Sequence, residues 1–231
     1  MDGQGSGGAT PSFRERLGLG VELPGGRTVA VANAGEATGP EGAGDQWLRR
    51  ATVGEVRPHN ATITIVDYDP GWPGLFAREA ARVTETLGGT ALRVEHVGST
   101  SVPGLAAKPI IDMLLIVPDS ADERTYVPAL EAVGYRLRIR EPDWFEHRLL
   151  KGPDTDINLH VFTVGAAEAD RMLRFRDRLR ASDTDRERYL HTKRTLARRV
   201  WRHVQDYADA KSAVVREILE RAQQADSGHD D

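Results

Sequence analysis

Cysteine is absent from the 231-residue chain, which excludes a disulfide framework, a thiolate metal site and a cysteine nucleophile. Long apolar runs are missing as well. The longest, "IIDMLLIV", carries an aspartate and is far too short to span a bilayer. No basic-then-apolar secretory layout opens the chain, and no G-x-x-x-x-G-K-[ST] run supports a Walker-type ATPase. Nor does one sign of charge dominate. Against 35 Asp and Glu stand 31 Lys and Arg, a net charge of −4, so there is no general basic field for nucleic acid. These absences point to a cytoplasmic protein with no membrane partner, and they disfavour a nucleic-acid partner.

Large apolar residues are scarce in residues 1–55, which hold more than half of the 23 glycines. Segments such as "MDGQGSGGATPS" and "NAGEATGPEGAGD" bury too little surface to offset ordering entropy. Residues 1–55 are therefore expected to be a poorly ordered Gly-rich extension, with at most a short strand in "RTVAVANA". Residues 56–225 are expected to form the domain, and 226–231 a disordered tail.

Periodicity organises that domain. "TITIVDY" predicts a short strand and "DPGWPGLF" a turn. "LFAREAARVTETLG" predicts an amphipathic helix with Phe76, Ala80, Val83 and Leu87 on one face, stopped by Gly88-Gly89. "ALRVEHVG" and "PIIDMLLIV" read as strands, the second apolar enough to lie inside a sheet. "TYVPALEAVGY" predicts a helix, "RLRIREPDWFEHRLLK" an edge hairpin and "DTDINLHVFTV" another strand. Glu168 to Ala225 reads as helical. The fold class is α+β.

The connection between the strands "ALRVEHVG" and "PIIDMLLIV" is chemically loaded. Gly98 lets backbone N–H groups approach a ligand, and Ser99, Thr100 and Ser101 add hydroxyl donors. Successive N–H groups in such a turn make a concave anion site suited to phosphate. A Gly/Ser connector that merely turns a corner would use the same residues. Lys108 is within reach of a phosphate, or is simply solvated.

"HVGSTSVPGLAAKPIIDMLLIV", with "IVDYDPGWPGLF" before it and "NLHVF" and "YADAKSAVVREIL" after it, resembles the GrpB family (UPF0157-type) of the nucleotidyltransferase superfamily. Relatives in that family are sometimes fused to dephospho-CoA kinase. The resemblance covers residues 62–220. It implies a nucleotidyltransferase-like mixed β-sheet with flanking helices and a helical C-terminal part. It also implies a Gly-Ser turn, here Gly98-Ser99, leading to a metal-binding strand that begins with Asp112. The departure is Leu114, which stands where the second metal carboxylate usually is. With Asp112 alone, a divalent metal needs further ligands. Asp156, Asn158 and His160 alternate in "DTDINLHVF" and so share a strand face; Glu95 and His96 point to opposite faces, so at most one of them joins.

Asp112 and His160 are thus the expected catalytic pair, and Asp112, His160, Asn158 and Glu95 the expected metal set. Mg²⁺ comes first, with Mn²⁺ or Zn²⁺ also suited to an imidazole-bearing site. Tyr189, Lys193 and Lys211 resemble family positions that bind a triphosphate or the acceptor, although solvated helix faces carry the same residues. Two functions follow. One is transfer of a nucleotidyl group from an NTP to a hydroxyl of a small-molecule acceptor. The other is a non-catalytic nucleotide- or phosphate-binding module, which Leu114 favours. The sequence leaves the oligomeric state open.

Overall fold

The structure, a computed structural model, describes residues 21–23, 27–29, 43–56, 59–154 and 156–227. Most of the 1–55 stretch expected to be poorly ordered lies outside these residues, as do residues 228–231 of the expected tail. Within the stretch, β1 (Val21–Leu23) pairs antiparallel with β2 (Arg27–Val29), and the remainder of "RTVAVANA" lies outside the described residues. A helix, α1 (Ala43–Ala51), buries Trp47 and Ala51. Just beyond it Val53 N donates to Arg138 O at 2.8 Å, so the described fold starts ahead of the expected boundary at 56.

The central sheet contains β3 (Arg93–Val97), β4 (Ile111–Val117), β5 (Arg136–Glu141), β6 (His147–Lys151) and β7 (Ile157–Thr163) in the order β3-β4-β7-β6-β5. The β4–β7 pair is parallel and the others are antiparallel. As expected, β4 is interior and the β5–β6 hairpin forms an edge. One face is covered by α2 (Trp72–Leu87) and α3 (Val127–Ala132), whose Trp72, Val83 and Leu130 join Met113 and Leu115 in the main core. Gly88, at φ +52°, ends α2. The other face carries α4 (Ala167–Ala181), with Ala169 and Leu173 against Leu114 and Phe162. Beyond it lie α5 (Asp183–Ala197), α6 (Val204–Ala210) and α7 (Ser212–Ser227). This mixed sheet with flanking helices and a helical C-terminal part is the α+β architecture the sequence implied. Among the described residues no helix is long and apolar enough to cross a membrane.

One element differs. "TITIVDY" forms no strand; it makes only an isolated bridge, Val66 to Ala107, with both N–H···O bonds at 2.9 Å. Its alternation has another cause. Ile63 is buried with Ala197 and Tyr207, so the segment lies across the helical layer instead of entering the sheet.

Candidate active site

The turn after β3 is shaped by one contact. Gly98 has φ +68°, and a Cβ built on it would lie 2.3 Å from Asp112 Oδ2. Only glycine allows both the left-handed conformation and that approach of backbone to carboxylate. Residues Ser99–Ser101 then make a short 3₁₀ turn. Two of its hydroxyls are committed inward: Thr100 Oγ1 donates to Ile110 O at 3.1 Å, and Ser101 Oγ to Gly98 O at 2.6 Å. From α4, Arg180 donates to Ser101 O at 2.8 and 3.1 Å and pins the turn from outside. Gly98 and Ser99 line the cavity in front of it, whereas buried Thr100 and Ser101 do not.

Alternation along β4 and β7 and their parallel register, Asp112 beside Asn158 and Leu114 beside His160, place the three polar side chains on one face. Asn158 Nδ2 donates to Asp112 Oδ1 at 2.7 Å, and His160 Nε2 lies 3.8 Å from the same oxygen. Burial works against the Asp112 charge, but His160, Asn158 and the nearby Lys211 hold its carboxyl below the usual carboxylate range. Leu114 is fully buried against the α4 layer. The neighbour that reaches Asp112 comes sideways, from β7.

Glu95, expected as a fourth metal residue, is not brought into this group. Its carboxylate takes Arg176 at 2.7 Å and Arg93 at 2.9 Å. Against the upward pull of burial, these arginines hold its carboxyl below the ordinary range. His96 faces the opposite side, stacked on Phe76 with ring centroids 4.7 Å apart, and burial lowers its pKa to about 4.

Asp112, Asn158 and His160 open into a cavity of about 310 Å³ that three lysines also line: Lys108, Lys193 and Lys211. Lys193 is 2% exposed and donates to Ala106 O at 2.6 Å. Burial, with Lys211 and Arg194 nearby, lowers its pKa to about 7. Burial and then Lys211 also lower the pKa of Lys108. A bound polyanion relieves both penalties. Tyr189 does not line the cavity; it is buried, edge-on to Phe175, with Lys193 Nζ 4.9 Å from its ring centroid. The remaining wall is mostly apolar, with Ile65, Met172 and Val204, and Gln205 as a polar point.

Sequence reasoning passed over two residues behind His160. Buried His147 places Nε2 3.1 Å from His160 Nδ1, and its Nδ1 lies 2.8 Å from Glu141 Oε2. Burial, then His160 and Arg148, push the His147 pKa well below its ordinary value. The available signal was alternation in "EHRLLK", which puts His147 and Leu149 on the His160 face.

Among the described residues no three His, Asp or Glu side chains converge as a complete metal cage. Asp112 and His160 supply two donors of the right kind, in a cavity that lysines make attractive to phosphate. That set fits a cation whose remaining ligands are phosphate oxygens and water, the usual arrangement for an ion bound with a nucleotide.

Comparison with known proteins agrees with the motif reading. The family model described as GrpB protein matches residues 62–221. A UPF0157 protein of Halalkalibacterium halodurans is 68% identical over 178 residues, covering 77% of this chain and 91% of that protein. A UPF0157 protein of Streptomyces coelicolor is 46% identical over 165 residues, 71% of this chain and 87% of its own. The crystal structure of conserved protein GrpB from Enterococcus faecalis superposes with a TM-score of 0.60 at 30% identity, covering 70% of this chain and 98% of that one. A dephospho-CoA kinase of Mycolicibacterium paratuberculosis is 30% identical over 188 residues, but the match covers only 46% of that longer protein.

Proposed function

The chain belongs to the GrpB family, and on that premise we propose that it is a metal-dependent nucleotidyltransferase acting on a small-molecule hydroxyl. The carrying observation is convergence: Gly98-Ser99, Asp112, His160 and three lysines, from five separate segments, line one cavity. The Ser99 hydroxyl and the turn backbone receive the β- and γ-phosphates, and Lys108, Lys193 and Lys211 neutralise their charge. Asp112 and His160 would hold the divalent cation, Mg²⁺, Mn²⁺ or Zn²⁺, which supplies charge neutralisation at the reacting phosphate. The acceptor oxygen forms a bond to the α-phosphorus as the bond to the β-phosphate oxygen breaks. Pyrophosphate departs as the leaving group and the hydroxyl proton passes to solvent water. Catalysis here is mostly positioning. The apolar wall at Ile65 and Val204 suits the nucleoside, and the acidic chain favours a small acceptor over a nucleic acid.

One observation favours a second reading, a nucleotide- or phosphate-binding module without transfer: Leu114 is locked in the core, so β4 offers a single carboxylate. A thermal-shift panel on the full chain separates the possibilities. It pairs each NTP with Mg²⁺, Mn²⁺ or Zn²⁺ and compares wild type with Asp112→Asn. Metal-dependent stabilisation lost in the variant supports the proposal. Stabilisation by nucleotide without metal, unchanged in the variant, supports the binding module. No shift with any pair overturns both.

A further inference from the structure

One face of α6 runs along the cavity. Val204, Ala208 and Lys211 recur at helical spacing, Gln205 and Tyr207 stand beside them, and all of them line it. The run has two chemically different ends. Lys211, which closes α6, belongs to the lysine cluster, and its Nζ lies 4.5 Å from the centroid of the Tyr207 ring. Gln205 stands six residues earlier, roughly 9 Å back along a helix axis. Its neighbours in the wall there are apolar, Val204 on α6 and Ile65 on the segment that crosses the helical layer. A nucleotide whose phosphates meet the lysines reaches this end with its base.

Gln205 does not meet the cavity as an amide free to turn. Its Nε2 donates to Asp209 Oδ1 at 2.8 Å, one helical turn further on. A carboxylate oxygen accepts, so the nitrogen faces Asp209, and turning the amide over would set Oε1 against another acceptor. This is the one hydrogen bond the half-buried amide makes among the described residues. What remains is Oε1, with its lone pairs, and the second hydrogen on Nε2. The pair is an acceptor beside a donor, held in one order. Adenine and cytosine present the matching order, an exocyclic amine beside a ring nitrogen that accepts. Hypoxanthine, guanine and uracil put a carbonyl oxygen where the amine stands, opposite Oε1. A glutamine free to flip would receive either kind of edge, whereas Asp209 sets this one for the first.

We propose that Gln205 reads the base of the nucleotide and that Asp209 is a positioning residue fixing its amide, so that the site takes an amino-bearing base, adenine or cytosine, over its oxo counterpart. This rests on the metal–nucleotide reading of the cavity and adds which nucleotides that reading admits. Ile65 and Val204 cover the faces of the base, and Gln205 supplies the polar contact at its edge. Discrimination is strong at such a point because the wrong base leaves two acceptors facing each other in a partly dry site.

Calorimetric titrations of the full chain with excess Mg²⁺ compare ATP with inosine triphosphate and CTP with UTP. Each pair differs only at the amine and the adjoining ring nitrogen, and inorganic triphosphate reports the phosphate end alone. ATP should bind roughly 10–100-fold more tightly than inosine triphosphate, or CTP than UTP, and the pair that shows the ratio tells which base the wall fits. Gln205→Leu should bring that ratio close to one. Asp209→Asn should lower it by a different route: an asparagine offers either oxygen or nitrogen, so the Gln205 amide can turn over and affinity for the oxo base rises. A merely weakened helix would lower both members of a pair together. Equal affinities within both pairs, an oxo base preferred, or an unaltered ratio in either variant overturns the proposal. Should Asp209→Asn fail to fold, the ratio in Gln205→Leu decides. Failure of triphosphate and of every nucleotide to bind overturns the cavity reading and the base reading with it. Binding of all of them without discrimination overturns the base reading alone, so the two failures are distinct.

Discussion

The two faces of β4 come from one seven-residue run and do opposite work. Ile111, Met113, Leu115 and Val117 point to α2 and α3 and are sealed in the main core. Asp112, Leu114 and Ile116 point the other way, and only Leu114 and Ile116 are covered, by the layer of Phe162, Leu173 and Trp144. The sealed face is apolar along its whole length. The other is apolar where α4 covers it and polar where the 98–101 turn and α6 leave a cavity. The faces should therefore answer mutation differently: one in stability, the other in ligand binding.

The largest effect belongs to the sealed face. Leu115 is fully buried, so Leu115→Ala should cost about 2–5 kcal/mol through lost contacts and a cavity. Denaturant unfolding measures it, and the nucleotide-dependent thermal shift of the fraction that folds should match wild type. A loss below about 1 kcal/mol, or lost binding with the fold intact, would break the division between the faces.

Gly98→Ala comes next and strikes both quantities. A Cβ 2.3 Å from Asp112 Oδ2, on a residue at φ +68°, forces the turn or the carboxylate to move. Stability should fall by about 1–3 kcal/mol, and metal–nucleotide stabilisation should disappear. Wild-type binding in this variant would show that the close approach of turn and carboxylate does not matter to the ligand.

How much of this contrast was legible in the sequence depends on what each residue needs. Asp112, Asn158 and His160 could be placed on strand faces by counting in twos, but the parallel register that joins those faces is a property of the folded sheet. Thr100, Ser101 and Tyr189 are of the same residue types as true cavity donors. Burial alone separates them, and local sequence does not encode it. Glu95 lies on the expected face, yet Arg176, far away in sequence on α4, captures it. The His147–Glu141 pair depends on a hairpin whose turn puts Phe145 and Glu146 at positive φ, where no glycine or asparagine signals the conformation. "TITIVDY" misled because alternation arises wherever one side of an extended segment is covered, by helices as well as by a sheet.

A subtler test uses pH. Lys193 has a folded pKa of about 7 against an ordinary value of 10.5. Between those values the unfolded chain binds the extra proton, so stability contributed through this residue rises as pH rises through that window. Ligand binding has the opposite sign. Phosphate favours the ammonium form, so nucleotide affinity should weaken as pH climbs above about 7. Lys193→Met should flatten both trends, and calorimetric titrations at several pH values would measure the second. A wild-type affinity that stays constant across the window would remove Lys193 from the phosphate site.

The smallest expected effect makes the sharpest contrast, because it sets one carboxylate against another on the same face of the sheet. Glu95 and Asp112 sit on adjacent antiparallel strands, but Glu95 is engaged by Arg176 at 2.7 Å and Arg93 at 2.9 Å, whereas Asp112 meets an amide and an imidazole at the cavity. Glu95→Gln keeps the shape and removes a partly exposed charge, so it should cost only about 0.2–1 kcal/mol. Arg176 retains Asp177 and the His96 carbonyl as partners, which limits the loss. Metal–nucleotide stabilisation in Glu95→Gln should equal that of wild type, while Asp112→Asn loses it. If Glu95→Gln also abolished the metal-dependent shift, Glu95 would have to exchange its arginines for the ion on ligand binding, and the site would regain the second carboxylate that Leu114 denies it.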